Sequence, residues 1–235
     1  MKEKIYTIPV NDAFSEDCEC PICSMYKKLE EDSVAYTMGP SYMEDDIREK
    51  TDKMGFCQKH LKKIYEQENR LGFALVMKTH MDRVITDLEK CSKEQLQGKT
   101  LFKKPSSSQT VDYVNKLHEQ CFVCDRIQNT FKRYVDTIFY MYNKDENFKK
   151  MYENCKGFCT DHYGMLIEEA QKRLSGSSLD EFASCTNRLY LENMKRVRDD
   201  VEWFINKFDH KYASEPWKNA KDSLTRAMTK DSSIL

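Results

Sequence analysis

Eight residues in this chain have the types and the spacing of metal ligands. Cys20-Pro21-Ile22-Cys23 is followed by Gly55-Phe56-Cys57-Gln58-Lys59-His60. Cys121-Phe122-Val123-Cys124 is followed by Gly157-Phe158-Cys159-Thr160-Asp161-His162. Cys121 lies 101 residues after Cys20, and His162 lies 102 residues after His60. One CxxC is a weak signal; the same CxxC…GFCxxH order at matched separation is a strong one. Zinc takes four tetrahedral ligands, and Cys3His is a standard structural set. A CxxC turn aims two thiolates at one ion. A CxxH pair at the start of a helix puts both side chains on one face, where the helix dipole favours thiolate. Gly55 and Gly157 suit a sharp turn just before that helix. Taken in chain order, the motifs predict two zinc ions per chain. Cys20, Cys23, Cys57 and His60 would hold one, and Cys121, Cys124, Cys159 and His162 the other. Closed four-ligand spheres of this kind leave no metal-bound water to activate.

Other chemistries use the same residue types. CxxC also serves iron–sulfur clusters, and on a βαβ scaffold it serves thiol redox exchange; unliganded buried cysteines are a third reading. Cys18, Cys91, Cys155 and Cys185 fall outside the repeated order. Cys91 and Cys185 read as small buried residues on helices. Cys18 and Cys155, close to the motifs, are candidate alternative ligands or reactive thiols. His118, just before Cys121, is a further candidate ligand. A second constellation is Tyr42-Met43-Glu44-Asp45-Asp46-Ile47-Arg48. Joined by His80, its Glu44, Asp45 and Asp46 could line an enzyme pocket. The plainer reading is a solvated, dipole-compensating helix start and a structural histidine.

The elements that must position these residues read as helices. Only 7 Gly and 5 Pro in 235 residues imply few turns, and a third of the residues are charged. Ile22, Tyr26, Leu29 and Tyr36 form a loose helical face ending at Gly39-Pro40. Ser41 to Glu44 reads as a capping box. After His60 a single long helix is expected, with Ala74, Met77, Met81, Val84 and Leu88 as its apolar stripe. Ile127, Phe131, Tyr134, Ile138 and Met141 mark another helix. Asp145 can cap a short helix before Gly157, and a helix from His162 reaches about Leu174. Ser178 to Glu181 reads as a second capping box. Tyr190, Met194, Val197, Val201, Phe204 and Phe208 then step along one face. A final short helix is expected to begin near Ser214-Glu215-Pro216. The fold class is therefore all-α, two related helical units from an internal duplication, each clamped by a Cys3His zinc site. The division is 1–94 and 110–212, joined by a linker at 95–109 rich in Ser, with 213–235 as a C-terminal helix and tail.

Composition excludes some functions. No apolar run approaches the roughly 20 residues of a membrane helix. Met1 to Val10 has no apolar core of a secretory signal, so a cytoplasmic setting is expected. Formal net charge is −1, or −3 with six thiolates and two divalent zinc ions, which argues against nucleic acid as a partner. Local basic runs, Lys132-Arg133 and Lys195-Arg196, read as solvated faces. The expected function is a zinc-binding helical protein acting as a non-catalytic scaffold for a protein or small-molecule partner. The alternatives are an enzyme with the Glu44/Asp45/Asp46/His80 pocket, or a metal or thiol redox sensor.

The chain also resembles an uncharacterised bacterial family, a domain of unknown function. The resemblance rests on Lys4 to Phe14, on the CPIC of Cys20 to Cys23, on Gly39 to Arg48, and on both GFCxxH copies. It extends to Lys78-Thr79-His80-Met81-Asp82 and to Glu215-Pro216-Trp217-Lys218-Asn219-Ala220-Lys221-Asp222. It covers essentially the whole chain and implies no established activity. Members sometimes bear an automatic label of transporter substrate-binding protein. No signal peptide, lipoprotein cysteine or two-lobed α/β pattern accompanies that label here.

Overall fold

The computed structural model describes residues 4–93 and 108–232; most of the expected linker at 95–109 lies outside them. The described residues are all helical, without strands. In chain order the helices are α1 (Lys4–Ser15), α2 (Pro21–Met38), α3 (Asp45–Met54), α4 (Gln58–Tyr65), α5 (Arg70–Cys91) and α6 (Gln109–Glu119). Then come α7 (Phe122–Lys144), α8 (Glu146–Asn154), α9 (Thr160–Arg173), α10 (Gly176–Asn206) and α11 (Ser223–Ser232). Short 3-10 turns occupy Pro40–Met43 and His210–Tyr212.

Two compact units emerge. One combines Met1–Lys28 with Phe131–Leu235; the other is Leu29–Thr130. Their bounds differ from the halves 1–94 and 110–212 suggested by chain order. Each unit draws on both halves, because α2 and α7 each supply residues to both.

The first unit is built on aromatic residues. Phe148, Tyr152, Phe158 and Phe182 are fully buried. Phe14 stacks on Tyr152 and meets Phe148 edge-on, with ring centroids 5.6 and 5.0 Å apart. Rings of this size bury large apolar areas and add specific geometry. The buried Tyr152 hydroxyl is satisfied by Thr186 at 2.7 Å. The core face expected on α7 holds at Tyr134, Ile138 and Met141, all buried here. Asp145 caps α8 by accepting from the Asn147 and Phe148 amides, and α9 ends at Arg173, close to both expectations.

In the second unit α3 packs on α5, and α5 on α6. Ile47, Ile64 and Val76 are buried. Here several expectations fail for local reasons. The single long helix after His60 is two helices. Glu68 takes a positive φ of 61°, and Asn69 caps α5 by accepting from the Gly72 amide. The expected stripe is largely open: Ala74 and Met81 are exposed, and Gly72 and Val76 are the buried positions. Ser41 forms no capping box, since its hydroxyl donates back to the Tyr36 carbonyl; α3 starts after Glu44 instead. In the first unit Ser178 is likewise no cap, because its hydroxyl meets the Asn143 side chain and α10 begins two residues earlier. Glu215 to Asp222 forms turns, and the final helix begins only at Ser223.

Candidate metal centres

The structure gathers the eight ligand-type residues into two clusters, and the pairing corrects the expectation. Cys20 and Cys23 meet Cys159 and His162; Cys121 and Cys124 meet Cys57 and His60. In each cluster the four donor atoms lie within 4.8 Å of one another and could hold a metal ion. The CxxC of one half is thus completed by the CxxH of the other.

The pairing follows the division into units. Cys20 precedes the first turn of α2, and Glu30 stands ten residues further along it. At 1.5 Å per residue that is about 15 Å. The Nε2 of His60 contacts the Glu30 Oε1 at 3.1 Å, on the part of α2 that belongs to the second unit. The second half repeats the relation. Phe131 stands ten residues beyond Cys121 on α7, and its ring is 6.0 Å from that of His162. In each half the CxxC motif thus lies in one unit and the CxxH motif in the other.

Every ligand sits at a helix N-terminus. Cys20 and Cys23 open α2, and Cys121 and Cys124 open α7. Cys159 is the N-cap of α9 and Cys57 that of α4, with each histidine in the first turn that follows. Free amides at these ends point at sulfur: Cys23 N–H donates to Cys20 Sγ at 3.4 Å, Cys124 N–H to Cys121 Sγ at 3.5 Å, and His162 N–H to Cys159 Sγ at 3.4 Å.

The turns before the CxxH helices require glycine. Gly55 and Gly157 have φ of 59° and 76°. A Cβ on Gly157 would lie 2.7 Å from the Leu189 carbonyl oxygen; one on Gly55 would strike the His80 ring at 2.6 Å. The Gly55 carbonyl also accepts from the Phe122 amide at 3.0 Å, which docks the GFC turn onto the CxxC turn of this centre.

The distances suit tetrahedral coordination. Four ligands about 2.0–2.3 Å from a zinc ion stand roughly 3.3–3.8 Å from one another. In the first unit Nδ1 of His162 is 3.6 Å from Cys20 Sγ, 3.3 Å from Cys23 Sγ and 3.2 Å from Cys159 Sγ. In the second, Nδ1 of His60 is 3.3 Å from each of Cys57, Cys121 and Cys124. The sulfur pairs Cys23–Cys159 and Cys57–Cys124 are 3.6 and 3.9 Å apart, far beyond a disulfide.

The charges differ between the two centres. Without a cation, hydrogen bonds from Cys20 and Cys23 hold the Cys159 thiol far below its ordinary range, and Cys23 keeps its proton. Burial works against the charged His162, but the Cys159 and Cys20 sulfurs raise it to about 9. In the second unit burial lifts Cys121 and pushes Cys124 up to about 12, and it lowers His60 toward the neutral imidazole a metal needs. Three buried sulfurs can all be thiolates only beside a multivalent cation.

The centres differ in what stands behind the histidine. Glu30 is 1% exposed and is neutralised by Lys59 at 2.8 Å and by Lys63. Burial opposes its charge, yet the two ammonium groups hold its carboxyl at about 2. It orients His60 by taking the ring nitrogen that does not face the sulfurs. The residue 101 positions later, matching the offset between the CxxC motifs, is Phe131, an apolar contact for His162. Carboxylates that orient a metal-bound histidine typically matter by about 10–100-fold in metal affinity. Glu30→Gln is therefore expected to weaken the second unit's centre by about that factor and to leave the first unchanged. Competition with a chromogenic chelator, read as one fast and one slow ion, measures this.

The first centre has its own support, which the sequence reading missed. Lys230 on α11 is 1% exposed. Its ammonium donates to the Glu19 carbonyl at 2.6 Å and to the Lys156 carbonyl, and pairs with the Glu19 carboxylate at 3.2 Å. Glu19 precedes Cys20, and Lys156 precedes Gly157. One buried cation thus ties together the two loops that carry the ligands. Thr160, in the first turn of α9, donates to the Lys230 carbonyl at 3.0 Å.

The remaining candidates do not converge. His80 lies over Gly55, and its Nδ1 contacts the Asp52 carbonyl at 2.8 Å, near the C-terminal end of α3. Asp45 and Asp46 occupy the first turn of the same helix, about 10 Å away along its axis, and are exposed. Asp46 pairs with Lys50. The expected pocket of Glu44, Asp45, Asp46 and His80 is thus not assembled. Cys18, Cys91, Cys155, Cys185 and His118 join neither cluster. Burial pushes the Cys18 thiol up to about 11 and the Cys155 thiol up to about 12, so both are protonated near neutral pH and poor nucleophiles.

Comparison with curated proteins and with solved structures gives no match. One family model, described as a family of unknown function, matches residues 1–235, and the chain belongs to that family, DUF6062.

Proposed function

We propose that this protein is a zinc-stabilised helical scaffold that binds a protein or small-molecule partner, with two structural ions and no metal-centred catalysis. The observation that carries the reading is the completeness of each cluster: three sulfurs and one imidazole nitrogen converge, all from helix starts. Cys20, Cys23, Cys159 and His162 would hold one ion, and Cys57, His60, Cys121 and Cys124 the other. Zinc bound there supplies a cross-link between two helix starts and the positive charge that three thiolates require. Four protein donors leave no position for water or substrate.

The same reading takes the two CxxC…GFCxxH stretches as copies of one ancestral unit whose motifs close on each other rather than on themselves. The matched offsets support this, and so does the shared placement of Glu30 and Phe131 behind the two histidines. A reducing cytoplasmic setting accords with ten unpaired cysteines. No helix among the described residues is long and apolar enough to cross a membrane.

The test is elemental analysis of protein purified under reducing conditions without added metal. Two zinc ions per chain are expected. Iron with visible charge-transfer bands, or only trace metal, would reject zinc.

A further inference from the structure

A strongly charged concavity lies in the first unit, beside the loops that carry the sulfur donors. Glu19, Lys156, Arg196, Lys218, Asn219, Lys221, Asp222 and Arg226 line a pocket of about 350 Å³. That size suits a small ligand. Five of these side chains are cations and two are carboxylates, so the lining carries a formal charge of +3.

The cations divide into two sets. Arg226 is held by Asp200 at 2.8 Å and by Asp222 at 3.0 Å, and it donates to the Asn219 carbonyl. Arg196 is held by Glu19 at 2.5 Å, and Lys156 by Asp17. These groups shape the wall. Lys221, by contrast, has no hydrogen bond or ion pair among the described residues and is exposed. The Lys218 ammonium faces only the Trp203 ring, 3.9 Å from its centroid. Its backbone has a φ of 50°, a left-handed conformation that a lysine rarely adopts. The turn is fixed by the Trp203 indole N–H, which donates to the Pro216 carbonyl at 3.0 Å. A strained residue held in place by its surroundings is a common mark of a binding site.

We infer that the pocket formed around Lys218, Asn219 and Lys221 binds the phosphoryl group of a small phosphorylated molecule. The free donors lining the pocket are two ammonium groups and one side-chain amide, and the oxygens of a tetrahedral dianion can accept from all three. A planar carboxylate is best met by a guanidinium fork, and both arginines here are already engaged. This deepens the ligand-binding side of the proposed scaffold and does not require the metal assignment to be right.

Isothermal titration of the full chain with inorganic phosphate tests it, with malonate, a dianion whose charge sits on two planar carboxylates, as the comparison. Saturable one-to-one binding of phosphate is expected, with malonate at least about tenfold weaker. Charge-assisted hydrogen bonds of this kind are worth about tenfold or more each. Lys218→Gln with Lys221→Gln should weaken phosphate by at least that factor, while circular dichroism and metal content stay unchanged, since both side chains are exposed. Absence of saturable binding, equal binding in the lysine variant, or malonate binding as tightly as phosphate would overturn the inference. Metal content, read on the same samples, reports separately on the zinc reading.

Discussion

Replacing Cys23 and Cys57 by serine in one protein is expected to remove both metal ions, whereas replacing Cys23 and Cys159 removes only one. Cys23 and Cys159 face the same cluster, with their sulfurs 3.6 Å apart, while Cys57 belongs to the other. Losing one thiolate leaves an undercoordinated ion and exchanges a strong donor for a weak one. Losing a second from the same cluster adds little to the metal count. Pairing in chain order gives the opposite result: Cys23 with Cys57 would then cost one ion, and Cys23 with Cys159 would cost both. Structural zinc binding is worth on the order of 10 kcal/mol in small zinc domains, so the loss should also be visible as lost helix and a lower melting midpoint. Metal counts on the two double variants, with the single variants beside them, separate the two pairings.

Lys230→Met is expected to destabilise the first unit by about 3–5 kcal/mol, because it leaves two carbonyl acceptors without their donor, at about 1–3 kcal/mol each, and takes one of the close cations from the Glu19 carboxylate. The substitution keeps the apolar stem of the side chain and removes its terminal ammonium. It removes one cation from the Glu19 carboxylate and both donors from the Glu19 and Lys156 carbonyls. Glu19 keeps Arg196 at 2.5 Å, but at 8% exposure water replaces the lost ammonium poorly. For a chain of this size such a loss lowers the melting midpoint by on the order of 10 °C. Because the two carbonyls belong to the loops that carry Cys20 and Cys159, metal release from the first centre should also quicken. Lys230→Arg keeps the charge but overfills the site, and should fall between Met and the wild type. A Met variant that melts with the wild type would show that Lys230 is incidental to the fold.

What the sequence revealed of this site follows from what repeats in it. The CxxC and GFCxxH motifs occur twice, and repetition exposes residue types and turns: helix starts at Cys57 and Cys159, and glycines with positive φ at 55 and 157. Partnership is different, because it depends on which unit each motif joins. Chain order favours Cys20 with His60, but α2 passes from one unit into the other between Cys20 and the glutamate that holds His60. Glu30 and Lys230 were hidden for another reason. A charged residue in a polar helix reads as solvated, and only tertiary contact turns it into a buried support. The division of α4 from α5 was hidden too, since Glu68 and Asn69 break the helix without a proline or glycine to mark the place.

The central claim, that each metal is enclosed by four protein donors, is tested most directly by zinc K-edge X-ray absorption on the purified full-length protein carrying two ions. The account predicts an average shell of three sulfurs at about 2.3 Å and one nitrogen at about 2.0–2.1 Å, with imidazole scattering from the histidine ring. Fewer than three sulfurs, or an oxygen shell in place of imidazole, would contradict it and would open the metal to water and catalysis.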